Sequence, residues 1–125
     1  MHTREQIINN YLTAYNNFDV EGMVHDLDET VKFENVTNGE VNMTLNGLAA
    51  FKEQAIQIIP IFETRRQTAN SFTHNGDQTE VLISYYAVVA MDLPNGLTKG
   101  TELNLTGTSI FTFAGDKITA ITDIS

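Results

Sequence analysis

Cysteine is absent from this chain of 125 residues. Without thiols, disulfide bridges and thiolate metal sites are both excluded. The absence of cysteine also suits a reducing compartment, and we therefore expect a cytoplasmic protein.

Long apolar runs are missing as well. The N-terminus shows no charged leader followed by an apolar segment, and no apolar run approaches the roughly 20 residues of a membrane-spanning helix. We expect a protein without a signal peptide and without a membrane partner.

Basic residues are few, at 7 against 16 acidic ones, which gives a formal net charge of −9. The field of such a chain repels phosphate backbones, so we expect no nucleic-acid partner. No two of the three histidines have the spacing of metal ligands, and no pattern indicates a cofactor. We therefore expect neither a metal nor a cofactor.

What the chain does contain is typical of one globular domain over residues 1–125, with 42% hydrophobic and 18% charged residues. Two helices are predicted first. Thr3 and Gln6 fit a capping box ahead of apolar residues that recur every three or four positions over residues 3–17. Asp19 then has the side chain of an N-cap for a second, shorter helix, in which Gly22 is a mild penalty.

The rest of the chain is mainly strand. A third helix opens at Gly47 and should end or kink at Pro60. Alternating or apolar runs predict strands at residues 31–36, 65–73, 79–92, 101–113 and 118–124. The order of elements predicts an α+β fold, with helices on one face of a mostly antiparallel sheet.

Several short patterns, in this order, resemble one known family: Tyr11-Leu-Thr-Ala-Tyr15 before Asn-Phe-Asp, Gly22-Met23, Gly47 with the third helix, and Phe111-Thr-Phe-Ala-Gly-Asp-Lys-Ile118. The chain resembles the nuclear transport factor 2-like superfamily, and within it the SnoaL-like polyketide cyclases and ketosteroid isomerases. The resemblance implies a cone-shaped, strongly curved sheet that wraps three helices around a mostly apolar cavity. Members of this superfamily often form dimers through the outer face of the sheet.

The ketosteroid isomerases use a tyrosine, a carboxylate base and a second, protonated carboxylic acid. Their pattern places the tyrosine at Tyr11, the base at Asn35 and the second acid at Ser109. Asn35 is a poor proton acceptor and Ser109 a weaker donor than a carboxylic acid. We therefore expect no ketosteroid isomerisation by this mechanism.

Candidate ligand contacts lie between the first helix and the sheet, where a small hydrophobic molecule would bind. They are Tyr11, Tyr15, Phe33, Asn35, Phe51, Tyr85, Ser109 and Phe111. Two of them, Tyr11 and Tyr15, lie one helical turn apart and could orient a ligand oxygen. Alternatively, both are core aromatics whose hydroxyls bond to backbone carbonyls. Asn35 and Ser109 are polar on apolar strand faces, which a pocket or an internal hydrogen bond would explain equally.

Charged candidates are fewer. The only carboxylate in the last strand is Asp123, a possible replacement for the missing catalytic base, although the pattern favours solvent exposure at a sheet edge. Together with Tyr11 it forms the candidate catalytic pair. Arg65 and Arg66 could hold an acidic ligand at the cavity mouth, but the pattern favours a solvated pair at the start of a strand.

The histidines offer little chemistry. His25 and Asp26 are adjacent in the second predicted helix and should point apart. His2 and His74 are expected to be exposed surface residues.

Two functions from different classes remain open. The chain is either a ligand-binding or acid–base catalytic cup, or a non-catalytic dimerisation or protein-interaction domain. Residues 81–91 are apolar on both strand faces. The predicted contact combines one parity of residues 82–90 with a neighbouring row of uncharged residues on the outer face of the sheet. That row consists of Asn104, Thr106, Thr108, Ile110 and Thr112. A strand that is apolar on both faces should be covered on both, so we expect a homodimer through this surface.

Overall fold

The computed structural model describes residues 3–125. Its first element, helix α1 (Arg4–Asn16), begins with the predicted capping box. The Thr3 hydroxyl accepts a hydrogen bond from the Gln6 backbone, and the Gln6 side chain accepts one from the Thr3 backbone. The apolar face of α1 is buried through Ile7, Ile8, Tyr11, Leu12 and Ala14.

Helix α2 (Val20–Val24) follows after a sharp reversal at Phe18, whose φ is 57°. The Asp19 carboxylate caps it by accepting a hydrogen bond from the Gly22 backbone at 3.0 Å. Gly22 is also a packing residue, because a Cβ atom there would lie 2.9 Å from the Ala14 Cβ and 2.5 Å from the Asp19 carboxylate. Gly22 lowers the helix propensity of α2, but its lack of a side chain is what allows α2 to pack against α1.

Helix α3 (Leu48–Gln57) ends before a 3₁₀ turn (Ile59–Ile61) that contains Pro60. The prediction that Pro60 stops the helix is confirmed, and the chain enters a strand directly afterwards. Gly47 precedes α3 with a φ of 94°, a conformation that suits glycine, and its backbone donates to the Val31 carbonyl.

Six strands form one sheet in the order β2-β1-β6-β5-β4-β3. Their bounds are β1 (Leu27–Thr37), β2 (Glu40–Asn46), β3 (Phe62–Asn75), β4 (Gln78–Val89), β5 (Glu102–Ala114) and β6 (Lys117–Ile124). All neighbours are antiparallel except β1 and β6, which run parallel. Sequence reasoning missed β2 and assigned only turn chemistry to its first residue.

The sheet curls around the helices. Its register shifts at several points, among them Asn35/Val36 in β1, Ala69/Ser71 in β3 and Thr112/Phe113 in β5. Such bulges bend and twist a strand locally. Helix α1 packs against β3 and α3 packs against β1, so that helices and sheet enclose the core. This is the predicted α+β cone.

Candidate functional site

A cavity of about 400 Å³ lies inside the curl of the sheet, between the helices and the inner face of the strands. All of the predicted ligand contacts except one line it: Tyr11, Tyr15, Phe33, Asn35, Phe51, Tyr85 and Ser109. The exception is Phe111, which is 1% exposed and packs its ring 5.7 Å from that of Tyr11. Phe111 therefore supports Tyr11 from the core and does not reach the cavity.

Asp123 lies in the cavity wall, and the expectation of an exposed strand edge was wrong. Strand β6 is not an edge, because β1 and β5 cover its two sides. The register pairs Asp123 with Asn35 of β1 and with Ser109 of β5. The carboxylate thus lies on the strand between the two positions that the ketosteroid isomerase pattern assigns to its acids.

Ser109 holds the carboxylate in place. Its hydroxyl donates to one Asp123 oxygen at 2.7 Å, and Ser109 itself is only 4% exposed. Next to it, Gly107 allows β5 and β6 to approach closely, because a Cβ atom there would lie 2.8 Å from the Ile124 carbonyl oxygen. Burial raises the pKa of Asp123, and the Ser109 hydrogen bond opposes the shift. A carboxyl group in this state is a stronger base than one in water.

Tyr11 contributes a hydrogen-bond donor to the same cavity. Its ring packs between Phe51 and Phe111, and the residue is 7% exposed. Burial, reinforced by the negative charge of Asp123, raises the pKa of Tyr11, so the hydroxyl keeps its proton. Among residues 3–125 this hydroxyl has no hydrogen-bond partner, which removes the alternative that a backbone carbonyl holds it.

Tyr15 and Tyr85 form a second polar group on the wall. Their hydroxyl oxygens lie 3.0 Å apart and share a hydrogen bond. Burial raises the pKa of both tyrosines, so both hydroxyls remain protonated. The pair joins α1 to β4 across the cavity.

Arg65 is buried behind Tyr15, and the expectation of a solvated pair was wrong for this residue, although Arg66 is exposed. Arg65 is 1% exposed and donates from Nε to the Tyr15 carbonyl at 2.8 Å, at the carboxyl end of α1. Its guanidinium lies 3.8 Å from the centre of the Tyr15 ring and 4.5 Å from that of Phe18. A cation at this end of a helix is favourable, and it also stacks on two aromatic faces.

Both explanations for the polar side chain of Asn35, a pocket and an internal hydrogen bond, hold. It lines the cavity, and its amide donates to the Asn42 side chain at 2.8 Å. Asn42 belongs to β2, the strand that sequence reasoning missed, and so do the cavity residues Met43 and Leu45. The period-two alternation of residues 41–46 was the signal that could have identified this strand.

One prediction about the histidines was wrong, and one is confirmed. His25 and Asp26 do contact each other, with the His25 Nδ1 3.1 Å from an Asp26 carboxylate oxygen. Helix α2 ends at Val24, so His25 is its C-cap and Asp26 lies beyond the helix. His74 is exposed, as expected, and its two ring nitrogens also bond to Thr79 and Glu5, each at 2.8 Å. His2 lies outside the described residues. Neither His25 nor His74 lines the cavity.

Residues 3–125 contain no cluster of three or more histidines and carboxylates that could hold a metal ion. No helix among them is long and apolar enough to span a membrane.

Comparisons with known proteins identify relatives. No curated protein sequence matches the chain at a significant level. Among solved structures, a candidate polyketide cyclase from Pseudomonas putida has a TM-score of 0.77 at 20% identity, covering 98% of this chain and 91% of that one. An NTF2-like protein of unknown function from Burkholderia pseudomallei has a TM-score of 0.78 at 16% identity, covering 98% and 90%.

A third structure, from Catenulispora acidiphila, has a ketosteroid isomerase-like fold and was solved with trimethylamine. It has a TM-score of 0.77 at 14% identity and covers 97% of this chain and 85% of that one. At these identities the structures establish the fold. The family model for the SnoaL-like domain matches residues 8–121. The chain therefore belongs to the SnoaL-like domain family and has the nuclear transport factor 2-like fold.

Proposed function

We propose that the cavity binds a small hydrophobic molecule with a carbonyl group, and that Asp123 carries out general acid–base chemistry on it. One observation carries the proposal: the Asp123 carboxyl, held by Ser109, lines the same apolar cavity as the Tyr11 hydroxyl, which has no hydrogen-bond partner among residues 3–125. A concave apolar pocket with a few polar groups and a carboxyl of perturbed pKa is a typical small-molecule site.

The chemistry follows from these three side chains. The ionised Asp123 carboxylate removes a proton from the carbon next to the carbonyl, and the protonated form can return it at another position. Tyr11 donates a hydrogen bond to the carbonyl oxygen as negative charge develops there. Ser109 orients the carboxylate. Isomerisation, cyclisation and hydrolysis of a carbonyl compound are the reaction types that such a set supports.

Ketosteroid isomerisation is not among the proposed reactions. Asn35 occupies the position of the isomerase's base, and Ser109 occupies that of its second acid. The carboxylate of Asp123 therefore approaches a ligand from β6 instead of β1. We expect no detectable turnover of a Δ5-3-ketosteroid. Robust turnover would show that the correspondence of Asn35 and Ser109 to the isomerase's base and second acid is wrong.

We further propose a homodimer through the outer face of the sheet. In the single chain, Leu82 is 48% exposed on this face, and Tyr86 and Val88 of the same row remain partly exposed. This apolar row favours self-association whether or not the cavity is catalytic. A domain that only dimerises or docks another protein is the alternative function, and it needs no ligand in the cavity.

A thermal-shift experiment separates the two functions. The ketone 2-tetralone fits the proposed chemistry, and tetralin is the same bicycle without the oxygen. Ligand at one hundred times its Kd stabilises a folded protein by about 2.7 kcal/mol. We expect 2-tetralone to raise the melting temperature more than tetralin does, and Tyr11→Phe to reduce the difference. Failure of 2-tetralone and of a panel of related ketones and lactones to shift the melting temperature would leave the non-catalytic alternative.

A further inference from the structure

The Tyr15–Tyr85 pair has one O–H donor more than its mutual hydrogen bond requires. Two protonated hydroxyls carry two O–H groups, and their mutual hydrogen bond at 3.0 Å uses one of them. Neither hydroxyl bonds to any other group among residues 3–125. Since both residues line the cavity, one O–H donor remains free for a ligand acceptor there.

Arg65 places a positive charge close to this donor. No carboxylate of the described residues lies within ion-pair distance of its guanidinium, and neither Nη1 nor Nη2 has a hydrogen-bond partner. The guanidinium lies against the Tyr15 ring at 3.8 Å. Its charge favours negative charge on Tyr15 and Tyr85 and opposes the effect of burial on their pKa values. The same charge favours an anionic oxygen next to the two hydroxyls.

The two polar groups of the cavity therefore differ in sign. Asp123 and Ser109 lie on β6 and β5, and an ionised Asp123 repels an anion. Tyr15 lies one turn beyond Tyr11 on α1, ~6 Å along the helix axis. The charge of Arg65 acts on Tyr11, Tyr15 and Tyr85. At Tyr11 the charge of Asp123 outweighs it, whereas Asp123 is not among the charges that act on Tyr15 and Tyr85. An acidic ligand would thus be oriented with its anionic oxygen away from Asp123.

We propose that the Tyr15–Tyr85 pair, with Arg65 behind it, is a second oxygen-binding subsite that selects an anionic oxygen of the ligand. This inference rests on the proposed ligand-binding cavity and specifies its substrate class. The ligand is a hydrophobic molecule with two oxygen functions: a carbonyl at Tyr11 and Asp123, and a carboxylate, phenolate or enolate oxygen at the tyrosine pair. Arg65 is a positioning residue that acts through Tyr15.

Two probes of the same shape test the subsite by calorimetry: the anion 2-naphthoate and the hydrocarbon 2-methylnaphthalene. Removing both hydroxyls in the Tyr15→Phe/Tyr85→Phe double variant should weaken 2-naphthoate binding roughly ten- to hundredfold, because hydrogen bonds to charged groups are strong. Binding of 2-methylnaphthalene should change less than about twofold, since it makes no such bond. The single variants identify which hydroxyl donates to the ligand.

Tyr86→Phe is the matched control. Tyr86 neighbours Tyr85 on β4 but points to the other face, where its hydroxyl donates to Glu102 at 2.8 Å. This variant should bind both probes as the unmodified protein does. For Arg65, we expect Arg65→Lys to retain more of the preference for 2-naphthoate over 2-methylnaphthalene than Arg65→Met does. The preference is a ratio within one variant, so a general loss of folded protein does not alter it.

Failure of this inference differs from failure of the proposed function. If the double variant binds 2-naphthoate as tightly as the unmodified protein, the subsite is refuted and the cavity remains a ligand site. If neither naphthalene probe nor 2-tetralone binds the unmodified protein, the ligand-binding cavity itself is refuted.

Discussion

Removing the Tyr11 hydroxyl separates a ligand contact from a core residue. Tyr11→Phe keeps the ring between Phe51 and Phe111 and deletes only the oxygen. That oxygen has no hydrogen-bond partner among residues 3–125, so the substitution breaks no bond within the described protein. We therefore expect the free energy of unfolding to change by less than about 1 kcal/mol.

Ligand affinity should respond where stability does not. A neutral hydrogen bond from Tyr11 to a carbonyl oxygen contributes about 0.5–1.5 kcal/mol net. The expected loss of affinity for 2-tetralone is therefore roughly two- to tenfold, while tetralin should bind unchanged. Calorimetric titration gives the affinities, and urea denaturation gives the stability of the same preparation.

The opposite pair of results would refute the reasoning. A clear loss of stability with unchanged affinity would mean that the hydroxyl is bonded within the protein. Tyr86→Phe serves as the control, because it removes a hydroxyl from the outer face of the sheet and should leave affinity for 2-tetralone unchanged.

Three further predictions concern stability and assembly. Gly22→Ala gains about 1 kcal/mol of helix propensity, but it disturbs the Asp19 cap and overpacks the contact between α1 and α2. We expect urea denaturation to show a net loss of about 1–3 kcal/mol in the free energy of unfolding. A more stable variant would contradict the packing. Because burial raises the pKa of Asp123, the stability due to its protonated form is present at acidic pH and is lost as the pH rises through the raised pKa. Asp123→Asn should therefore gain stability relative to the unmodified protein between acidic and neutral pH, and unfolding curves with a pH-independent difference would count against the shift. Val88→Glu should convert a dimer into a monomer in light scattering, because it buries an unpaired charge at the proposed contact, and a monomeric unmodified protein would refute the dimer.

The local features of the fold could be predicted from the sequence because neighbouring residues determine them. The capping box at Thr3, the cap at Asp19 and the helix stop at Pro60 each depend on a few consecutive side chains, and all three are confirmed. The adjacent pair His25–Asp26 was misjudged because the exact end of α2 decides whether the two side chains diverge.

The site residues that were misjudged depend on distant partners. Asp123 lies in the cavity wall and not at an exposed sheet edge because β1 pairs in parallel with β6, and no pattern within residues 118–124 reveals that second neighbour. Arg65 is buried because the carboxyl end of α1 and the rings of Tyr15 and Phe18 meet it from 50 residues away in the chain. Charge alone predicted exposure in both cases, and tertiary contacts overrode it.

Solvent deuterium exchange is the most direct test of acid–base chemistry at Asp123. The protein is incubated with 2-tetralone in heavy water, and loss of the signals of the protons next to the carbonyl is followed by NMR against the buffer rate. We predict catalysed exchange by the unmodified protein and by Asp116→Asn, a control in the exposed β5–β6 turn. Asp123→Asn should reduce the catalysed rate by about a hundredfold or more, the range typical of a lost general base. Undiminished exchange by Asp123→Asn, or no catalysed exchange of a ketone that demonstrably binds in the cavity, would contradict the account.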